Sequence, residues 1–87
     1  MKEQELNEIL KSMDGKTNYC KVLKYMMEHG SITSFEAFEK LHNTRLSASI
    51  FILRTQYGIP IGMDVEISEN NKRYGRYYIN REDKNEH

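Results

Sequence analysis

Two groups of side chains in this 87-residue chain are equipped to hold phosphate. Lys72, Arg73 and Arg76 cluster at the polar stretch Glu69-Asn70-Asn71-Lys72. Arg45 follows the tripeptide His42-Asn43-Thr44, with Ser47, Ala48 and Ser49 close behind. Guanidinium and ammonium groups neutralise phosphates, whereas hydroxyls, guanidinium groups and small apolar side chains suit the edges of bases. The chemistry available here is non-covalent recognition of a polyanion.

Charge segregation supports that reading. The formal net charge of the chain is zero, but residues 1–39 are net −2, residues 40–81 net +4 and residues 82–87 net −2. The basic excess is carried by Lys40, Arg45, Arg54, Lys72, Arg73, Arg76 and Arg81. A neutral protein can therefore still present one basic face. Scattered surface charge is the competing explanation.

Other chemistries lack their constellations. His29, His42 and His87 are far apart and Cys20 is the single cysteine, so no metal-ligand spacing exists and no metal is expected. No serine sits in a nucleophile motif, no glycine-rich phosphate loop is present, and no cofactor is implied. No catalytic residue is assigned and an enzyme is not expected. Met13, Met26, Met27 and Met63 read as core fillers. The longest apolar runs fall far short of a membrane span, and the charged start MKEQELNEILKSM has no signal-peptide apolar region. A cytoplasmic location follows as the expectation, consistent with one unpaired cysteine. At 38% hydrophobic and 30% charged residues, the composition suits a folded domain rather than a disordered chain. A chain this short has room for one core, so residues 1–87 are expected to form one domain.

The phosphate-binding candidates need elements to hold them. Leu6, Ile9, Leu10 and Met13 form one stripe of an N-terminal helix over 2–13, ended at Asp14-Gly15. Val22, Leu23, Met26 and Met27 form the stripe of a second helix over 18–29, capped by Thr17 or Asn18 and closed by Gly30. Ser31-Ile32-Thr33 predicts a very short strand. Ser34 is expected to cap a third helix over 35–42, with Phe35, Phe38 and Leu41 as its apolar side. After a turn at 42–44, with Asn43 or Thr44 as cap, a fourth helix over 45–57 buries Leu46, Ile50, Leu53 and Tyr57. Gly58 and Pro60 end it. The period then changes to two: Ile61, Met63, Val65 and Ile67 predict a half-buried strand. A polar turn over 69–72 leads to a Tyr-rich strand over 73–79, and residues 81–87 are expected to be a flexible tail.

This order, an extra helix followed by helix–strand–helix–turn–helix–hairpin, is α+β and matches a winged helix-turn-helix. The stretch GSITSFEAFEKLHNTRLSASIFILRTQYGIPI, followed by KRYGRYYI, resembles the small winged helix-turn-helix domains common in bacteriophages and prophages. Those domains tend to read G-S-I-T-S-x-E-A, then T-R-L, then L-R, then G and I, with a basic-aromatic wing. The resemblance covers residues 19–80 and leaves the first helix outside. It implies double-stranded DNA as partner and a phage or mobile-element origin. In such a domain the helix over 45–57 enters the major groove and the hairpin over 69–76 is the wing. Thr44, Arg45, Ser47, Ala48 and Ser49 are then the base-reading candidates, and Lys72, Arg73 and Arg76 the wing contacts.

One feature departs from a DNA reader. Opposite Leu46, Ile50 and Leu53 the fourth helix carries Ala48, Phe51, Ile52 and Thr55, two of them large and apolar. Burial of Phe51 and Ile52 beneath another element is the first expectation, and a protein-partner surface the second. Leu6, Ile9 and Leu10 are the corresponding candidates for a homodimer through the first helix. A protein-interaction module is therefore the alternative function. RNA binding by stacking on Tyr74, Tyr77 and Tyr78 is a weaker third.

Overall fold

Leu6, Leu23, Met26, Ile32, Leu53 and Ile59 are the anchors on which the chain closes; none keeps more than a trace of exposed surface. They come from the first, second and fourth helices, the first strand and the segment that follows the fourth helix in the computed structural model, which describes residues 2–80. Met1 and residues 81–87 lie outside the described residues, and with them the expected tail and Arg81. In chain order the elements are α1 (Glu3–Lys11), α2 (Asn18–His29), β1 (Ser31–Thr33), α3 (Ser34–Leu41), α4 (Leu46–Thr55), β2 (Ile61–Ile67) and β3 (Arg73–Ile79). The three strands form one antiparallel sheet in the order β1-β3-β2. This is the α+β winged helix-turn-helix arrangement with an additional N-terminal helix.

The boundaries follow from local chemistry. Thr17 caps α2 by accepting the Cys20 N–H at 3.3 Å, and Gly30 closes the helix at φ 91°. The α3 cap is Thr33, not Ser34. Thr33 Oγ1 accepts the Glu36 N–H at 3.1 Å while Glu36 Oε1 accepts the Thr33 N–H at 3.0 Å. This reciprocal pair is the Thr-x-x-Glu capping box, and it moves the helix start forward to Ser34. At the other end of α3, His42 takes a left-handed φ of 56°. Its N–H reaches Phe38 O at 3.0 Å and that of Asn43 reaches Ala37 O at 3.0 Å, the Schellman pattern. A histidine thus does what glycine usually does. Gly58, at φ 66°, serves α4 in the same way, with the Ile59 N–H bonded to Leu53 O.

Packing departs from the expected stripes in two places. On α3, Ala37 is buried and Leu41 partly buried, but Phe35 and Phe38 are 69% and 56% exposed. A helix of eight residues turns only one narrow side to the core, and Ala37 with Leu41 takes it. On β2 the alternation is present, yet only Ile61 is buried; Met63, Val65 and Ile67 are exposed. The outer part of β2 is left uncovered on this face. The hairpin's two glycines are covered by cross-strand side chains. A Cβ at Gly62 would stand 2.6 Å from the Tyr78 ring, and one at Gly75 would stand 2.6 Å from Met63 Sδ.

Candidate nucleic-acid interface

The turn between α3 and α4 is built around one buried amide. Asn43 is 3% exposed. Its side-chain oxygen accepts the Arg45 N–H at 2.8 Å, and its Nδ2 donates to Ser49 Oγ at 3.3 Å. The first contact sets the backbone at the α4 cap; the second ties the cap to the first turn. Arg45, the N-cap residue, makes no side-chain capping bond, so its guanidinium is left to the surface.

The base-reading candidates therefore divide. Thr44, Arg45, Ser47 and Ala48 are exposed at the start of α4. Ser49 is a correction: it is 5% exposed and faces Asn43, inside the protein, because it falls on the same side of the helix as Leu46, Ile50 and Leu53. Sequence reading gave Asn43 only a capping role; its burial beneath Ser49 is a three-dimensional fact with no sequence signal beyond Asn before a helix.

The apolar face of α4 is open. Phe51 is 64% exposed, which overturns its expected burial beneath another element. Ile52 is half-buried and lines a shallow groove with Lys16, Asn18, Tyr19, Arg45 and Ala48. That groove brings in a cation that sequence reading passed over. Lys16, from the α1–α2 turn, stands on the same groove as Arg45, although 29 positions separate them in the chain.

At the hairpin, Lys72 and Arg73 are exposed at the tip, where Asn71 turns the chain at φ 60°. Ser68 shapes this turn: its Oγ accepts the N–H groups of Asn70 and Lys72 at 3.3 and 3.2 Å. Lys72 also borders a second groove with Ser34, Phe35, Ser68 and Tyr74, between the start of α3 and the wing.

Arg76 is the other correction. It lies away from the tip, half-buried, and its guanidinium is engaged by the protein itself. Nε meets Glu66 Oε1 at 3.0 Å, Nη1 meets Ser31 Oγ at 3.1 Å, and Glu36 Oε2 is 3.6 Å from Nη1. The carboxylate partners hold the Arg76 pKa above its ordinary value, led by the bond from Glu66. The Tyr74 hydroxyl and then Arg76 hold the Glu66 carboxyl below the usual range. Arg76 thus joins the wing to β1 and to the first turn of α3. At the opposite side of the sheet Arg54 does the same for α4, donating Nε and Nη2 to Ile61 O at 3.1 and 2.8 Å. These two arginines brace the hairpin against the helix-turn-helix.

In the N-terminal stripe Leu6 is completely buried in the chain's own core, and Ile9 and Leu10 pack partly against it while keeping some exposed surface. Among the described residues, no helix is long and apolar enough to cross a membrane, and no group of His, Cys, Asp and Glu is arranged to hold a metal.

The winged helix-turn-helix domain model matches residues 18–82 of the chain. No curated protein and no solved structure gives a match. The match begins at the first residue of α2, so α1 is an addition to the shared domain.

Proposed function

The chain belongs to the winged helix-turn-helix family, a DNA-binding fold, and on that premise we propose that it binds double-stranded DNA in a sequence-specific way. The observation that carries the specificity is the exposure of Arg45, Ser47 and Ala48 together at the start of α4. This first turn would enter the major groove, with the guanidinium and hydroxyl on base edges and Phe51 against a thymine methyl group. Lys72, Arg73 and Lys16 would contact backbone phosphates and fix register. Unsatisfied N–H groups at the start of α4 add favourable positive potential there.

The resemblance to phage and prophage domains further supports a role as a phage or mobile-element regulator or a recombination accessory factor. Selection of bound duplexes from a random library tests the specificity: recovery of no consensus sequence would sink it. Fluorescence anisotropy across a salt series tests the contacts. The logarithm of the binding constant should fall linearly with log salt, and Lys72→Ala or Arg73→Ala should each reduce the slope by about 0.9. A flat salt response would remove DNA from the account.

A second reading rests on Phe51, whose exposure suits a protein-binding face. Under it, Phe51→Asp abolishes function and Arg45→Glu with Arg73→Glu leaves it intact. The DNA reading requires the Arg45 and Arg73 changes to abolish duplex binding.

A further inference from the structure

We propose that the free edge of β2 is a docking site for an extended protein segment that alternates apolar and basic residues. This surface adjoins the wing-tip contacts, since Ile67 is in register with Arg73, but it is built on main-chain groups that those contacts do not use.

Among the described residues, the sheet order leaves β2 paired on one side only. Two backbone bonds bracket its pairing with β3: Asn80 N–H to Pro60 O at 2.7 Å, and Ser68 N–H to Lys72 O at 2.9 Å. In an antiparallel pair with the register Ile61↔Ile79 to Ile67↔Arg73, these bonds turn the even-numbered residues of β2 toward β3. The N–H and C=O groups of Ile61, Met63, Val65 and Ile67 therefore point outward. The Ile61 carbonyl confirms the direction, because the Arg54 guanidinium takes it from the open side. Beyond Ile61, no helix or strand covers the edge among the described residues.

The exposed edge is apolar along the sheet face that carries Met63, Val65 and Ile67, at 46%, 59% and 64% exposure. It has none of the lysines, prolines or bulges that usually protect an edge strand from added chains. Adding a strand to such an edge supplies main-chain bonds, while the alternating side chains select the occupant. Here the selection comes from the opposite face, chiefly from Asp64, since Glu66 is already engaged by Arg76. Asp64 stands opposite Arg76 in register, but Arg76 reaches diagonally to Glu66, and among the described residues Asp64 has no ion pair of its own. A docked strand with apolar residues beside Met63, Val65 and Ile67 would place its alternate residues beside these carboxylates. Lysine or arginine fits there.

Charge and the Arg54 contact work against the two obvious competitors. A second copy paired antiparallel about Val65 sets Asp64 against Glu66 in both directions; pairing about Asp64 sets it against itself. Pairing about Met63 would require the Ile61 edge, which Arg54 occupies. Phosphate is repelled by Asp64 and Glu66 along the strand and by Glu69 in the turn that follows it.

The test uses the full chain, isotope-labelled, and two short capped peptides, one alternating valine with lysine and one alternating valine with glutamate. The lysine peptide should shift the amide resonances of Met63, Val65 and Ile67 and slow their hydrogen exchange; the glutamate peptide should not. Asp64→Lys should weaken the lysine peptide about tenfold and admit the glutamate peptide. Val65→Pro removes an outward N–H without breaking a bond to β3 and should also weaken docking about tenfold. If that variant does not fold, the charge reversal at Asp64 decides alone. Unchanged edge amides, or equal binding of both peptides, would overturn the proposal. So would protection of the same amides by self-association at high protein concentration or by duplex DNA.

Discussion

Arg76 and Glu66 meet diagonally across the hairpin, with Nε 3.0 Å from Oε1, although register places Arg76 opposite Asp64 and Glu66 opposite Tyr74. The same guanidinium continues to Ser31 and Glu36, so one side chain spans β2, β3, β1 and α3. Glu36 uses its other oxygen to cap α3. The wing and the start of the helix-turn-helix are thus held through a shared carboxylate.

Arg76→Gln should lower duplex affinity without changing the salt slope, because the lost group orients the wing and touches no phosphate. Arg76→Lys should recover little, since an ammonium cannot reproduce the planar fork. Anisotropy at several salt concentrations separates the two effects; a reduction of slope by about 0.9 would restore Arg76 to the phosphate contacts.

Acid should loosen the wing through Glu66. Its folded pKa lies below the ordinary carboxylate value, first through the Tyr74 hydroxyl and then through Arg76. A depressed carboxylate stabilises the fold above its unfolded pKa, and that contribution disappears as pH falls through the folded value. The loss is therefore confined to pH below about 4.5. Tyr74→Phe should raise the Glu66 pKa in a carboxyl NMR titration more than Arg76→Gln does. An unmoved titration in Tyr74→Phe would contradict this order.

Asn43→Ala should cost about 1–3 kcal/mol, as it leaves the Arg45 N–H and Ser49 hydroxyl without their partner in a buried site. Denaturant unfolding measures the loss. Ser49→Ala, which removes one weaker contact, should cost less and leave duplex affinity near that of the parent. A large affinity loss with intact stability in Ser49→Ala would return that residue to the interface.

The two large apolar residues on opposite sides of α4 should behave oppositely. Leu53→Ala should destabilise by about 2–5 kcal/mol, as expected for a fully enclosed side chain. Phe51→Ala should change stability by no more than about 0.5 kcal/mol and should show its effect in binding. A Phe51→Ala unfolding midpoint shifted as far as that of Leu53→Ala would mean that Phe51 is packed.

The sequence by itself determined the elements and their order. Caps, glycines and period are local quantities: Thr17 and Gly30 bound α2, and the change of period after Pro60 announces the hairpin. The resemblance in GSITSFEAFEKLHNTRLSASIFILR identified the family. Ser34 has the residue type of a cap, but Thr33 has Glu36 at the spacing a capping box needs. Tertiary structure alone decided which faces stay open. Phe35, Phe38 and Phe51 have the composition of core residues and lie at the surface, because short helices bury only the side another element covers. Arg76 is as cationic as Arg73 in the sequence, yet carboxylates from α3 and β2 claim it, and only folding brings them together. Periodicity states that a side is apolar. What lies against that side depends on contacts between residues far apart in the chain, and those decide which basic groups remain for DNA.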